Sequence, residues 1–235
     1  MEFSVVTVAY KSPENIERFL TEIENSIVKP KEVIVLINFS ESSITQSILE
    51  IVQSSPLVTR WVYFSQNTGV GLPWNLGIEL STSEVVIIQN DDALVAPETY
   101  KMMVDGFDHE KVGIVGVKQG GFPEDIKFTA TGFLHAFRRS MIESIGGFWK
   151  ESYPLACERE LGLRAWTYGY ETKIVQAPFA HEYTISANPD TEIIVLGEKL
   201  IPSEFQQKST PIIFEQCRRY NQILKVQSEK EQRAN

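Results

Sequence analysis

Short runs of apolar, mostly β-branched residues recur through the first half of this chain, each followed by a segment with helical periodicity. Phe3–Ala9, 32–38 and 85–88 are such runs, and further strands are expected over 58–64 and 112–117. Strands covered on both faces read this way, because neither side of them meets water. Between the first two runs, Ser12-Pro13-Glu14 supplies an N-cap, a proline at the first helical position and an acidic first turn. Ile16, Phe19, Leu20, Ile23 and Ile27 then share one helical face, and Lys29-Pro30 ends it. Ile44, Ile48, Leu49, Ile51 and Val52 mark a second helix, and the spacing predicts two more over 70–80 and 97–108. Strands alternating with helices at this spacing fold as a parallel sheet with right-handed crossovers, so the class is α/β. Ligands of such open sheets bind beyond the carboxyl ends of the strands. The polar residues just past those ends are therefore the candidates for function: Tyr10, Asn38, Asn67 and Asn90-Asp91-Asp92.

The pattern changes after residue 118. Residues 119–123 read as a loop, 127–137 as one or two short strands, and 138–145 as a short helix ended by Gly146-Gly147. A helix over 155–168, closed by Gly169, precedes strands over 171–175 and 179–183. No linker forces a split. Residues 1–117 and 118–185 are therefore expected to be two halves of one domain, with 186–235 a C-terminal extension that is helical over 211–226.

Composition narrows the function classes. The 31 acidic residues outnumber the 22 Lys and Arg, giving a net charge of -9, and general nucleic-acid binding needs the opposite balance. Two distant cysteines, Cys157 and Cys217, exclude a disulfide scaffold or a zinc motif and fit a reducing, cytoplasmic setting. The start lacks the basic segment of a secretory leader, and no apolar run is long enough to span a bilayer. Ile212, Ile213, Cys217, Tyr220 and Leu224 lie on the expected C-terminal helix. That helix could pack on the domain, pair two copies of the chain, or make peripheral contact with the inner membrane face.

Asn90-Asp91-Asp92 follows a buried strand, which sets carboxylates at the ligand-binding edge. Hard divalent cations take such oxygens and leave their remaining positions to waters and substrate phosphates. Read locally, the cluster serves equally as a helix cap or an Asx turn. Ahead of it stand Asn67-Thr68-Gly69-Val70-Gly71 and Asn75-Leu76-Gly77. The ordered string N-x-G-x-G-x-x-x-N-x-G, a buried strand, then N-D-D-A-x-x-x-P resembles the nucleotide-sugar half of glycosyltransferase family 2, which has the GT-A fold. Registered on Pro97, Asn90 and Asp92 fall on the two acidic positions of the family's D-x-D, with Asp91 between them.

The likeness continues through Thr131-Gly132-Phe133-Leu134, Arg138-Arg139-Ser140 and Ile145-Gly146-Gly147-Phe148. This stretch is similar to the family's S-G-x-x-x-x-x-R-R-x-x-x-x-x-x-G-G-F. Without gaps, Cys157-Glu158-Arg159-Glu160-Leu161 then lands on its E-D-x-D-L, and Arg164 and Gly169-Tyr170 on its downstream R and G-Y. The likeness covers roughly residues 3–185. It implies a Rossmann-like, mostly parallel sheet with a smaller acceptor-side β/α portion.

What the resemblance implies for chemistry is inverting transfer of a sugar from a nucleoside diphosphate sugar to a hydroxyl of a glycan or lipid-linked acceptor, as in polysaccharide biosynthesis. Asp92 would hold Mg2+ or Mn2+ on the diphosphate, with His181 near the metal. Glu158 inherits the role of general base. Val8, Ala9, Tyr10, Asn38, Asn67, Gly69, Asn75, Asn90 and Asp91 would line the nucleotide site. The chemistry itself asks for a base, since an acceptor hydroxyl must lose its proton as it attacks. By spacing alone, Glu158 and Glu160 read as a solvated helix face with a Glu160–Arg164 pair, and His181 as a buried, hydrogen-bonded histidine. His109 and His135 read as structural or exposed, and Trp149 and Tyr153 either line an acceptor pocket or simply pack.

Three positions depart from the family pattern. Ile37 stands where members carry an Asp that contacts the nucleotide, Cys157-Glu158 stands for Glu-Asp, and Trp74 stands where many have Arg or Lys. Loss of these groups motivates a second expectation, a catalytically silent GT-A domain that binds a nucleotide sugar or a protein.

Overall fold

A computed structural model describes residues 1–118, 132–148 and 157–181. The expected C-terminal extension, the 119–123 loop, Trp149 and Tyr153 lie outside the described residues. The chain begins β1 (Phe3–Ala9), α1 (Pro13–Asn25), β2 (Glu32–Ile37), α2 (Ser42–Ser54), β3 (Arg60–Tyr63), α3 (Gly71–Leu80) and β4 (Val85–Gln89). It continues with β5 (Ala93–Val95), α4 (Thr99–Asp105), β6 (Val112–Val117), β7 (Leu134–Arg138), α5 (Arg139–Ile145), α6 (Cys157–Thr167), β8 (Glu171–Val175) and β9 (Phe179–His181).

Seven strands form one sheet in the order β3-β2-β1-β4-β7-β6-β8, and β5 pairs with β9 in a separate ribbon. The strands β3, β2, β1 and β4 run parallel, as do β6 and β8. Only β7 is reversed, antiparallel to both β4 and β6. The second half of the chain therefore supplies a strand to the interior of the sheet. The chain moves outward from β1 to β3 and then returns to the other side of β1 as β4. That reversal of direction opens a crevice between the carboxyl ends of β1 and β4.

Alternation along the strands divides the core into two layers. Phe3, Val5 and Ala9 of β1 pack with Ile16, Phe19 and Ile23 of α1, Ile48 of α2 and Tyr100 and Met103 of α4. Val6 and Val8 point the other way, onto Trp74 and Ile78 of α3, Met141 of α5 and Leu161 of α6. The result is three layers, helices on both faces of a sheet. Ser12 caps α1 as the sequence predicts, its hydroxyl accepting from Asn15 N at 3.3 Å.

Three differences from the sequence reading have physical causes. The ribbon strand β5 falls where the sequence suggests only an approach to a helix, because three residues carry no usable period. The α4 helix is shorter than 97–108, being preceded by β5 and a turn and ending at Gly106. The paired Glu160 and Arg164 are buried rather than solvated, with side chains 7% and 11% exposed. Arg164 makes a two-pronged contact with Glu160 and also donates to the carbonyls of Ile145 and Gly147, closing α6 over the end of α5.

The edge opposite the crevice is held by charge. Arg138 donates to the carbonyls of Val112, Phe107 and His109, and Arg139 to those of Ser83 and Ser81, so the Arg-Arg pair seals loop carbonyls. Glu32, at the start of β2, accepts from the Ser4 hydroxyl and the Thr82 backbone N–H, both at 2.7 Å, with Arg60 at 3.5 Å. Burial raises the Glu32 pKa, but the hydrogen bonds from Thr82 and Ser4 and the Arg60 charge outweigh it and the net shift is downward. Stability from this group is thus present above the unfolded value, about 4.3, and is lost as pH falls through the lower folded value. Glu32→Gln should cost roughly 1–3 kcal/mol at pH 7. In denaturant titrations its difference from wild type should shrink towards pH 3, where the native carboxyl is also neutral.

Helix α3 lies close against the sheet because Gly77 has no side chain. A Cβ there would run into Val6 Cγ1 and stand 3.2 Å from Leu36 Cδ2, two residues fixed in the core. Gly77→Ala should therefore lower stability by about 1–3 kcal/mol, measured by chemical denaturation, despite its better helix propensity.

Candidate functional site

The crevice between β1 and β4 collects most of the residues singled out from the sequence. Val8 and Ala9 end β1 and are buried in its two core layers, so their contribution to the crevice is through the backbone. Tyr10 follows, half-buried, with Lys11 Nζ 4.9 Å from its ring centre. Lys11 is held at φ 64°, left-handed geometry that a lysine adopts rarely and at a cost. Tyr10 N–H donates to Asp91 Oδ2 at 3.3 Å, which joins the end of β1 to the acidic turn after β4.

That turn is built by short contacts. Asn90 N–H donates to Phe133 O at 2.8 Å, and Ala93 N–H returns to Asn90 O at 3.1 Å. Asp91 turns down towards β1, and Arg18 Nη2 approaches its backbone carbonyl at 3.4 Å. Burial, with the Asp92 charge adding to it against the Tyr10 N–H and Arg18, pushes the Asp91 carboxyl up to about 7.

Asp92 is buried and faces the ribbon. Its Oδ1 stands 3.2 Å from His181 Nε2. Three contacts fix that histidine: pairing with Ala93 in the β5–β9 ribbon, the Asp92 carboxylate, and a stack on Phe133 with ring centres 4.1 Å apart and planes 13° apart. The ribbon is the signal that the sequence reading missed, and it is what joins two residues 89 positions apart. Among the described residues no group of three or more His, Cys, Asp or Glu is gathered to hold a metal. The pair that could supply the protein side of a metal site here is Asp92 and His181, a carboxylate oxygen beside an imidazole nitrogen. That donor set fits Mg2+ or Mn2+ with further positions left for phosphate oxygens and water.

Glu158 lies in the first turn of α6 and is nearly buried. A Cβ added to Gly132 would sit 3.1 Å from its Oε1. Gly132 precedes Phe133, which carries both the stack on His181 and the bond to Asn90. Glu158 and the acidic turn are therefore connected through two adjacent residues of the same segment.

The asparagines expected to line the nucleotide site bond to neighbouring backbone and loops. Asn38 is buried and spends its amide on the neighbouring loop, donating to Gly69 O at 2.8 Å and accepting from Thr68 N and Oγ1 at 3.2 and 3.0 Å. Asn67 Oδ1 accepts from Gly69 N–H at 2.9 Å, closing a turn that Gly69 permits with φ 72°. Asn75 clamps both backbone groups of Phe148, each at 2.7 Å, and so fastens α3 to the Gly146-Gly147-Phe148 loop. These side chains shape the loop beside the crevice, and sequence spacing carries no sign of their partners. Ile37 is fully buried within the α1/α2 layer, so it presents nothing polar to a ligand. Trp74 is also core, packed on His135 and Phe148 at 5.5 and 5.1 Å between ring centres. His135 is buried there, whereas His109 is exposed near Asp108 and Glu171.

Since Asn38 fastens Thr68 and Gly69 to the end of β2 through three bonds, Asn38→Ala should cost about 1–3 kcal/mol. Hydrogen exchange should rise at residues 67–71 and stay unchanged in β6.

A sequence comparison with curated proteins gives no match. Among solved structures, the mannosyltransferase PcManGT from Pyrobaculum calidifontis, in complex with GDP-Man and Mn2+, is similar with a TM-score of 0.64 at 22% identity, over 74% of this chain and 55% of that one. S. aureus TarS 1-349 in complex with UDP-GlcNAc is similar with a TM-score of 0.59 at 18% identity, over 76% of this chain and 58% of that one. At these identities the likeness shows the fold, and the chain spans little more than half the length of either structure. Both belong with a Rossmann-like, mostly parallel GT-A sheet of the kind described above. The family description Glycosyl transferase family 2 matches residues 4–152, well over half of the sequence. This chain belongs to glycosyl transferase family 2.

Proposed function

We propose that the chain transfers a sugar from a nucleoside diphosphate sugar to a hydroxyl of a glycan or lipid-linked acceptor, with inversion at the sugar carbon. The observation that carries the reading is the convergence at one sheet edge of the Asp92–His181 pair and, through Gly132 and Phe133, of Glu158. One acid stands with a metal-binding partner and another stands apart from it. That is the division of labour displacement at a sugar carbon requires. The fold relatives support the donor class, since one is in complex with GDP-Man and Mn2+ and another with UDP-GlcNAc.

Asp92 and His181 would hold Mg2+ or Mn2+ together with the donor diphosphate. When bound there, the ion supplies positive charge to the departing diphosphate. The chain's own residues do the rest. Tyr10 offers a ring for the base, and the backbone at Val8 and Ala9 shapes the crevice floor. The 67–71 loop, held by Asn38 and Asn67, presents backbone next to the phosphates with no Cβ at Gly69 or Gly71. Asn75 keeps the Phe148 loop against α3, while Asn90 and Asp91 hold the turn in register. Glu158 takes the proton of the acceptor hydroxyl as its oxygen bonds to the sugar carbon, and the diphosphate leaves with the electron pair of the broken bond. A carboxylate base is worth about 10²–10⁴-fold. With Ile37 in the core, no carboxylate from β2 reads the base, so the choice of nucleotide is open to direct test.

We place the reaction on the cytoplasmic side, where an acceptor anchored at the inner membrane face would be reached by peripheral contact. Among the described residues no helix is long and apolar enough to cross a membrane.

The test is thermal stability with UDP, GDP, dTDP and CDP, each with and without Mn2+. A ligand at a hundred times its dissociation constant adds about 2.7 kcal/mol, which is a clear shift. One nucleotide should give a metal-dependent shift that Asp92→Ala abolishes. The corresponding donor sugar should be hydrolysed slowly, and Glu158→Gln should reduce that rate by about 10² or more. No shift with any nucleotide contradicts the donor site. A shift without turnover on any acceptor points to the silent, donor-binding domain.

A further inference from the structure

The strand that delivers the acidic turn ends in a buried amide. Gln89 has no exposed surface, and it faces α1 and α4. Its Nε2 donates to Ala93 O at 2.8 Å and to Glu22 Oε2 at 3.0 Å, and its Oε1 accepts from the Tyr100 hydroxyl. These partners belong to three different elements: the ribbon strand β5, α1 and α4. A leucine would fill this space with no polar group to satisfy. An amide is tolerated here only because both its ends are bonded.

Those bonds meet at one residue of consequence. The segment between Gln89 and Ala93 is Asn90, Asp91 and Asp92, and it is closed twice. The Ala93 N–H returns to Asn90 O, and the Gln89 side chain holds Ala93 O. Ala93 is also the ribbon partner of His181. Ala93 therefore starts β5, pairs with the end of β9 where His181 stands, and closes the turn that carries Asp92. Burial and the nearby Glu22 push the Tyr100 hydroxyl well above its usual pKa, so it remains a donor to Gln89 throughout the physiological range.

We propose that Gln89 is a positioning residue for the donor-metal site: through Ala93 it fixes Asp92 relative to His181, and through Glu22 and Tyr100 it anchors that arrangement to α1 and α4. The proposal rests on the reading of Asp92 and His181 as the metal pair. Groups that orient metal ligands without touching the metal are commonly worth 10–100-fold in affinity.

The experiment measures the Mn2+ concentration that gives half of the thermal shift, at saturating UDP or GDP, whichever produces the larger wild-type shift. No turnover is needed. Gln89→Met keeps the length and apolar packing and removes all three bonds. It should remain folded by circular dichroism, with a lower Tm, and should raise the half-saturating Mn2+ by about tenfold or more. Ile48→Val, in the same core layer but on α2, should lower Tm without moving the Mn2+ dependence. Glu22→Gln retains an acceptor oxygen and should stay within about threefold of wild type, whereas Glu22→Leu should move in the direction of Gln89→Met. A folded Gln89→Met with wild-type Mn2+ dependence overturns the proposal. If Gln89→Met does not fold, Tyr100→Phe and the Glu22 pair decide: unchanged Mn2+ dependence in Tyr100→Phe and Glu22→Leu overturns it as well. Asp92→Ala separates the two levels, since a shift that survives Asp92→Ala removes the metal pair itself, while one that Asp92→Ala abolishes and Gln89→Met leaves intact removes only the positioning role.

Discussion

Strands β1, β2 and β4 are buried along their whole length, and a backbone covered on both faces must satisfy its polar groups inside the sheet. Parallel pairing of β3, β2, β1 and β4 does this completely in the middle and leaves only the strand ends uncommitted. The two ends of the sheet are then used differently. At the amino-terminal edge, Glu32, Arg138 and Arg139 close the loops with charge-assisted bonds. At the carboxyl-terminal edge, the reversal of strand order between β1 and β4 leaves a crevice, and polar residues gather there. The buried carboxylates away from that edge, Glu32 and Glu160, are each committed to hydrogen bonds and an arginine, whereas those of the acidic turn face the crevice.

The crevice is assembled from distant parts of the chain by backbone contacts more than by side chains. Tyr10 N–H reaches Asp91, Asn90 N–H reaches Phe133, and Ala93 pairs with His181. Placing β7 between β4 and β6 is what brings Gly132 and Phe133 to the turn, and with them Glu158. The two halves of the chain are thus one construction: the first supplies the acidic turn and the second supplies Phe133 and His181 beside it. Asn38 and Asn75 serve the same end by fastening the 67–71 loop and the Phe148 loop to the sheet and α3.

Much of the fold is legible in the sequence because buried parallel strands leave an unmistakable record. Phe3–Ala9 and Val112–Val117 have the same bounds in both readings, and Ser12-Pro13 announces the start of α1. The place of Asp92 just beyond a buried strand is legible too, although locally that position serves equally as a helix cap or an Asx turn. The roles proposed for Glu158 and His181 are not legible from spacing, and only the likeness to a family raised them. The physical reason is range: the contacts of His181 run through a three-residue strand, and such a strand has no period to detect. The burial of Arg164 and the commitments of Asn38 and Asn75 stay hidden for a related cause. Their partners are backbone carbonyls and N–H groups, which every residue carries and no sequence distinguishes. Gln89 reads as the polar end of a strand until its three partners are seen.

The central claim is that Asp92 and His181, brought together by the β5–β9 ribbon, form the protein side of a divalent-cation site. Anomalous scattering at the manganese edge, from crystals grown with Mn2+ and the nucleoside diphosphate that stabilises the protein, addresses it directly. The account predicts one strong peak between Asp92 Oδ1 and His181 Nε2, with phosphate oxygens completing the coordination. A map with the nucleotide bound, no peak at that position, and the Asp92–His181 contact still closed would contradict it.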